Sequence, residues 1–163
     1  MGSKYWDSLQ PKVLTTGCFD CLHAGHIYLF HQIHKKLNSY KNGISLIVGI
    51  NSDESYYRYK GQYPLYTAQE RKRTIKQFVD LVSRVVIFDE DNPSELIRRE
   101  TPLWFVKGGD YQDKELPEDQ IIQELGVHKL IISEELLVTP DKKVSTSDMK
   151  ERTTKLYGYD GQS

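Results

Sequence analysis

Cysteine is scarce in this chain, with two residues in 163, and that scarcity excludes a disulfide-stapled scaffold at this length. Excess positive charge is missing as well. Lys and Arg number 22 against 23 Asp and Glu, for a formal net charge of −1. Such a balance lacks the basic footprint of a nucleic-acid binder and matches a small-molecule partner better. No apolar run approaches the roughly 20 residues that a membrane span needs, and the N-terminus lacks the charged-then-apolar order of a secretory signal. Met1-Gly2 superficially matches the start of a myristoylation signal, but Trp6 stands where that signal needs Ser or Thr. No internal repeat is present. These absences lead to the expectation of a soluble, cytoplasmic protein with one domain over residues 1–163 and a frayed tail at 157–163.

What the chain does contain is a regular alternation. Residues 12–16 (Lys12-Val13-Leu14-Thr15-Thr16) read as a short buried strand, after which Gly17 lets the backbone turn tightly. Ile27, Phe30, Ile33 and Leu37 recur at three- and four-residue spacing, which predicts a helix from Ala24 to about Leu37. Beyond Asn42-Gly43, residues 44–50 form a nearly continuous apolar strand, the kind found where helices cover both faces of a parallel sheet. Residues 52–66 are polar and rich in tyrosine, contain Gly61 and Pro64, and read as a loop. Thr67 and Glu70 form a capping-box pair that opens a helix over about 67–79. A strand at 84–88, a helix from Pro93-Ser94 and a strand at 103–106 follow, the last running into Lys107-Gly108-Gly109-Asp110. A helix over 117–125, a strand at 129–133 and a final helix over 145–155 complete the order. This alternation predicts an α/β fold, a doubly wound parallel five-stranded sheet whose ligands sit beyond the carboxyl ends of the strands at a topological switch point.

The chemistry concentrates in residues 16–26, Thr16-Gly17-Cys18-Phe19-Asp20-Cys21-Leu22-His23-Ala24-Gly25-His26, at the first strand-to-helix turn. A helix N-terminus offers unpaired N–H groups and the positive end of the helix dipole, both suited to phosphate. Gly25 leaves room for a triphosphate against the first helical turn, and His23 and His26, three residues apart, project to one side. Two imidazoles aimed at one phosphate would stabilise the charge that develops there as an oxygen attacks and pyrophosphate leaves, with no covalent intermediate. Two rival readings use the same residues. Cys18, Cys21, His23 and His26 are all zinc-ligand types, although one nine-residue stretch would have to fold back tightly to supply a tetrahedron. Cys18 and Cys21 also have the spacing of a redox pair, without the Trp-Cys-Gly-Pro-like flanks of thioredoxin-like proteins. Tyr56, Tyr57, Tyr59, Tyr63 and Tyr66 fit a sugar grip, an interface patch or a packed loop equally well.

The pattern Gly17-x-Phe19-Asp20-x-x-His23-x-Gly25-His26 resembles the signature of the cytidylyltransferase-like nucleotidyltransferases, the family with the HxGH motif; six of its ten positions are defined. Asn51-Ser52-Asp53, Lys60-Gly61, Glu70-Arg71, Val106-Lys107-Gly108-Gly109-Asp110-Tyr111 and Ser145-Thr146-Ser147 appear in the order of bacterial heptose 1-phosphate adenylyltransferases. The Lys-Gly-Gly-Asp-Tyr segment discriminates these from glycerol-3-phosphate cytidylyltransferases. The resemblance implies a Rossmann-like fold and transfer of AMP from ATP, accompanied by Mg²⁺, to a phosphorylated sugar, with relatives commonly dimers or larger. By the same resemblance His23 and His26 would contact the reacting phosphate, and Thr16, Gly17, Cys18 and Phe19 would help through their backbone. Lys60 would bring positive charge to the sugar phosphate or the pyrophosphate. Lys107, Gly108, Gly109 and Asp110 would line the nucleoside, and Ser145, Thr146 and Ser147 would bind the outer phosphates. Asp20, Asn51, Asp53 and Arg71 would face the acceptor, with Lys72 and Arg73 competing with Arg71 for a phosphate. The alternatives are CTP with a polyol phosphate such as glycerol 3-phosphate, and a nucleotide-binding, zinc or redox module without transfer chemistry.

Overall fold

The computed structural model describes residues 10–111, 114–133, 137–139, 142–143 and 151. Five parallel strands form one sheet in the order β3-β2-β1-β4-β5: β1 Lys12–Gly17, β2 Ser45–Asn51, β3 Arg84–Phe88, β4 Trp104–Gly108 and β5 His128–Ile132. The chain winds outward from β1 to β3, then crosses back to set β4 on the other side of β1. The switch point, which the strand-helix alternation predicts without locating, falls between β1 and β4. Helices α1 (Ala24–Lys36), α2 (Asp53–Lys60), α3 (Ala68–Phe78), α4 (Ser94–Glu100) and α5 (Asp119–Glu124) supply the connections.

Successive strand residues point to opposite faces, so the apolar runs of β1 and β2 serve two cores. Val13, Leu46, Val48 and Ile50 pack with Phe30 and Ile33 of α1 and Ile75 of α3 on one face. Leu14, Ile47 and Phe105 pack with Leu96 and Ile97 of α4 and Ile121 and Ile122 of α5 on the other. Each such fully buried side chain contributes about 1.5–3 kcal/mol. At the amino edge of the sheet, buried Glu100 pairs with Arg84, and Lys12 donates to the Glu100 carbonyl. Trp104 Nε1 donates to the Tyr40 hydroxyl at 2.9 Å. These contacts tie strand starts to helix ends, far from the edge where ligands are expected.

Two regions depart from expectation. Residues 53–60, read above as loop, form α2. Only Ser55 and Tyr56 of that helix are buried, so it lacks the apolar stripe by which a helix is recognised. Its stability comes from its ends. Ser52 Oγ accepts from the Ser55 N–H at 3.0 Å, Asp53 and Glu54 occupy the first turn, Arg58 and Lys60 the last, and Gly61 closes it with φ of 72°. The second departure is an antiparallel hairpin of β6 (Leu137–Thr139) and β7 (Lys142–Lys143), where no element is predicted. The expected helix over 145–155 lies outside the described residues except for Glu151.

Candidate functional site

Gly17 ends β1, and the turn that follows is strained. Phe19 has φ of 48°, the left-handed region that a bulky side chain occupies only at a cost of about 1–2 kcal/mol. The turn brings the Phe19 ring back over Gly17, where an added Cβ would stand 2.9 Å from Phe19 Cε2. The glycine is therefore required by the returning ring. Phe19 in turn packs edge-on against His26 with centroids 4.9 Å apart and against Phe30 at 5.6 Å. A strained residue thus walls in the histidine that its own motif carries.

His23 is the N-cap of α1. Its Nδ1 accepts from the Gly25 N–H at 3.1 Å, while His26 Nδ1 accepts from the His23 N–H at 3.4 Å, a capping box built from two imidazoles. An Nδ1 that accepts from an amide carries no proton, so in each neutral ring the proton sits on Nε2. The rings stack with centroids 3.8 Å apart and planes 19° from parallel. Burial lowers the pKa of His23, and burial followed by repulsion from His23 lowers that of His26 to about 3. The helix start therefore presents two neutral N–H donors side by side, at the positive end of the helix dipole.

Around this turn stand two buried ionic arrangements. Arg71, 2% exposed, donates through Nη1 to the Cys18 carbonyl (2.7 Å) and through Nη2 to the Asn51 carbonyl (2.8 Å) and Asp53 Oδ1 (2.9 Å); its Nε donates to the Tyr66 carbonyl (2.9 Å). Asp20, 3% exposed, accepts from the Leu65 and Tyr66 N–H groups and from the Tyr56 hydroxyl. At the end of β4, buried Lys107 donates to Thr16 Oγ1 at 2.9 Å and lies 3.6 Å from Glu118 Oε1, with the Tyr111 ring 4.9 Å away. Burial lowers the Lys107 pKa against the opposing pull of Glu118. Gly109 passes close to β5, its absent Cβ 3.1 Å from the Ser133 backbone.

The structure gathers Thr16, Gly17, Cys18, Phe19, Asp20, His23, Gly25, His26, Asn51, Asp53, Arg71, Lys107, Gly108 and Gly109 at the carboxyl ends of β1, β2 and β4 and the turns and helices they lead into. Several differ in character from the expectation. Lys60 ends α2, exposed, with its ammonium 4.4 Å from the Tyr59 ring. Burial pushes the Cys18 thiol up, and the Lys60 charge opposes that rise. Of the three competing cations, Arg71 is inside, Lys72 half-buried and Arg73 exposed. The Asp110 side chain and all of Ser145, Thr146 and Ser147 lie outside the described residues. Cys18 and Cys21 are free thiols, Cys18 Sγ facing Asn51 Oδ1 at 3.6 Å. Among the described residues no three His, Cys, Asp or Glu side chains form a group able to hold a metal ion, and no helix is long and apolar enough to cross a membrane. Sequence reasoning missed Glu118, whose position after Pro117 gives no sign that it is the counter-ion of Lys107. It also missed Tyr56 as a partner of Asp20.

Comparison with known proteins places this geometry. The family described as cytidylyltransferase-like matches residues 14–152. The bifunctional protein HldE of Wolinella succinogenes is 41% identical over 124 residues, which cover 76% of this chain and 25% of that protein. HldE of Geobacter sulfurreducens is 37% identical over 147 residues, 90% of this chain and 27% of that one. The chain thus spans about a quarter of the length of these curated relatives, 25% and 27%. The crystal structure of the lipopolysaccharide core biosynthesis protein from Thermoplasma volcanium GSS1 matches with a TM-score of 0.61 and 26% identity, over 76% of this chain and 95% of that one.

Proposed function

The chain belongs to the cytidylyltransferase-like family, and from that premise we propose that it transfers the adenylyl group of ATP to a sugar 1-phosphate of the heptose type and releases pyrophosphate. The observation that carries this reading is the pair of neutral imidazoles in the capping box of α1, whose Nε2–H groups, bonded to none of the described residues, can meet an oxygen of the α-phosphate. In line with the leaving pyrophosphate, the acceptor's phosphate oxygen attacks phosphorus and the P–O bond to the β-phosphate breaks. Charge grows on the non-bridging oxygens at that moment, and preset donors in a desolvated site stabilise it most. Lys60 is the mobile-chain cation best placed to meet the acceptor phosphate or the departing pyrophosphate, being exposed at the end of α2 with its charge felt at Cys18.

Lys107 supports the nucleoside side from beneath rather than by direct contact, since its ammonium is already held by Thr16 and Glu118. Asp110, and Ser145, Thr146 and Ser147 for the outer phosphates, keep the roles that the resemblance implies. Mg²⁺ would arrive on the triphosphate, whose oxygens supply its ligands; the described side chains offer no cage of their own. The choice of adenylyl transfer rests on the Lys107-Gly108-Gly109-Asp110-Tyr111 segment and on the kinship with HldE proteins. The family's own description points to CTP as the nucleotide of a second reading, for which we take a polyol phosphate as acceptor. Incubation with ATP and a heptose 1-phosphate, with pyrophosphate release as the readout, should give turnover that CTP with glycerol 3-phosphate does not. Turnover only with the second pair reverses the choice, and none with any triphosphate and acceptor removes the transferase reading.

A further inference from the structure

The backbone of residue 66 is held from both sides by buried groups of opposite charge. Asp20 Oδ1 accepts the Leu65 N–H at 2.8 Å and the Tyr66 N–H at 3.1 Å, while Oδ2 accepts the Tyr56 hydroxyl at 3.2 Å. On the other side of the same residue, Arg71 Nε donates to the Tyr66 carbonyl at 2.9 Å. Asp20 belongs to the phosphate turn, and Arg71 is fastened to that turn through the Cys18 carbonyl and to the end of β2 through the Asn51 carbonyl. Asp53 Oδ1, which accepts from Arg71, also accepts the Ala68 N–H at 2.8 Å, so the start of α3 joins the same assembly. Buried charges carry a desolvation penalty of several kcal/mol each, offset here by hydrogen bonds to main-chain groups that hold both side chains in place. Here the geometry fixed is the distance between the phosphate turn and the segment that follows Lys60.

We propose that Asp20 and Arg71 form a clamp that couples residues 60–66 to the phosphate turn. Both act as positioning residues that set acceptor affinity and ligate neither substrate. A triphosphate seated on the turn stiffens Asp20 and the Cys18 carbonyl, and through them Leu65 and Tyr66. The acceptor-side segment is then ordered before the acceptor arrives, and by linkage the acceptor tightens the nucleotide in return. The kinetic part of this inference rests on the transfer reaction proposed above. The mechanical part does not.

The test uses the full chain in four forms: unaltered, Asp20→Asn, Arg71→Lys and, as the mildest lesion, Tyr56→Phe, which removes only the hydroxyl bonded to Asp20. Trypsin cleavage at Lys60–Gly61 is followed by mass spectrometry relative to cleavage at Arg98–Arg99 in α4, with and without ATP. In the unaltered chain ATP should slow the first bond selectively. Asp20→Asn should raise the ratio about tenfold, the worth of one hydrogen bond to a charged group, and should abolish the effect of ATP. Tyr56→Phe should act in the same direction and less. With ATP and the acceptor as substrates, Asp20→Asn should raise the acceptor KM about tenfold, while the Kd for ATP measured without acceptor stays within about twofold. The clamp is overturned if both bonds open in proportion, as for general destabilisation, or if the Kd for ATP without acceptor rises as much as the acceptor KM, as for a ligand of the nucleotide. Should the unaltered chain turn over no acceptor with ATP, the adenylyl-transfer reading falls while the cleavage ratio still decides the clamp.

Discussion

Two strands of this sheet, β1 and β4, end in glycine at the same edge, and they use it differently. After β1 the chain doubles back so that the Phe19 ring covers Gly17, and the turn holds titratable rings in their neutral form by excluding water from them. After β4 the chain passes over the end of β5, with Gly109 against the Ser133 backbone, and it holds a buried ammonium against a buried carboxylate. The first turn is thus marked by backbone strain, whereas the second is marked by ionic pairing. One sequence signal, a strand running into glycine, therefore conceals two physical roles, and burial and charge separate them.

The sharpest probe of the supporting turn is Lys107→Met, which leaves Glu118, 3% exposed at its side chain, without its cation. Loss of one partner of a buried pair costs about 3–5 kcal/mol, to be read from urea melts. Adding Glu118→Gln should restore much of that, whereas an unimproved double variant would show that the pair is not the source. At the chemical turn, His26→Ala should reduce turnover about 100- to 1,000-fold, the range for loss of one preset donor, with ATP affinity much less affected. Unchanged turnover removes that ring from the mechanism.

The glycines themselves give a smaller contrast. Gly17→Ala drives a methyl group into the Phe19 ring and should destabilise by about 1–3 kcal/mol while lowering turnover. Gly108→Ala meets nothing within 4 Å and should be close to neutral on melting. Equal effects would erase the distinction between the turns. The gentlest probe is pH. The pKa of His26 falls from 6.5 to about 3 on folding, so the unfolded chain takes up its proton first as pH drops. The stability tied to the neutral ring is complete above about pH 6.5 and drains away toward pH 3, by at most about 1.4 kcal/mol per pH unit. Urea melts between about pH 4 and 7 should show a shallower decline for His26→Asn than for the unaltered chain. Parallel declines would place the proton elsewhere.

The sheet was legible because its central strands are buried on both faces and read as unbroken apolar runs, as in Leu46-Ile47-Val48. Helix α1 was legible from its 3.6-residue stripe, and α3 from the Thr67–Glu70 capping box, which the structure contains. Helix α2 was not, because its signals are end signals, an N-cap serine and a left-handed glycine, around a stretch with almost no apolar face. In the site, the histidine pair was legible from its motif, but its capping role was not, since His is a poor guess for an N-cap beside Ser, Thr, Asp or Asn. Asp20 and Arg71 show the deeper difficulty. Sequence sees a charge near a phosphate motif and assigns it to a ligand; only three-dimensional burial reveals that its partners are backbone amides and carbonyls.

The orientation of the two imidazoles also limits what can react here. With each inner nitrogen committed to a main-chain amide, neither ring has a lone pair left facing outward while its Nε2 proton is in place, so the pair gives hydrogen bonds and offers no base. A neutral alcohol would bring a proton with nowhere to go. A phosphate monoester, whose second ionisation lies near pH 6, comes already stripped. In the proposed reaction the helix cap would thereby act as a filter on nucleophiles, admitting those whose deprotonation was completed in bulk water.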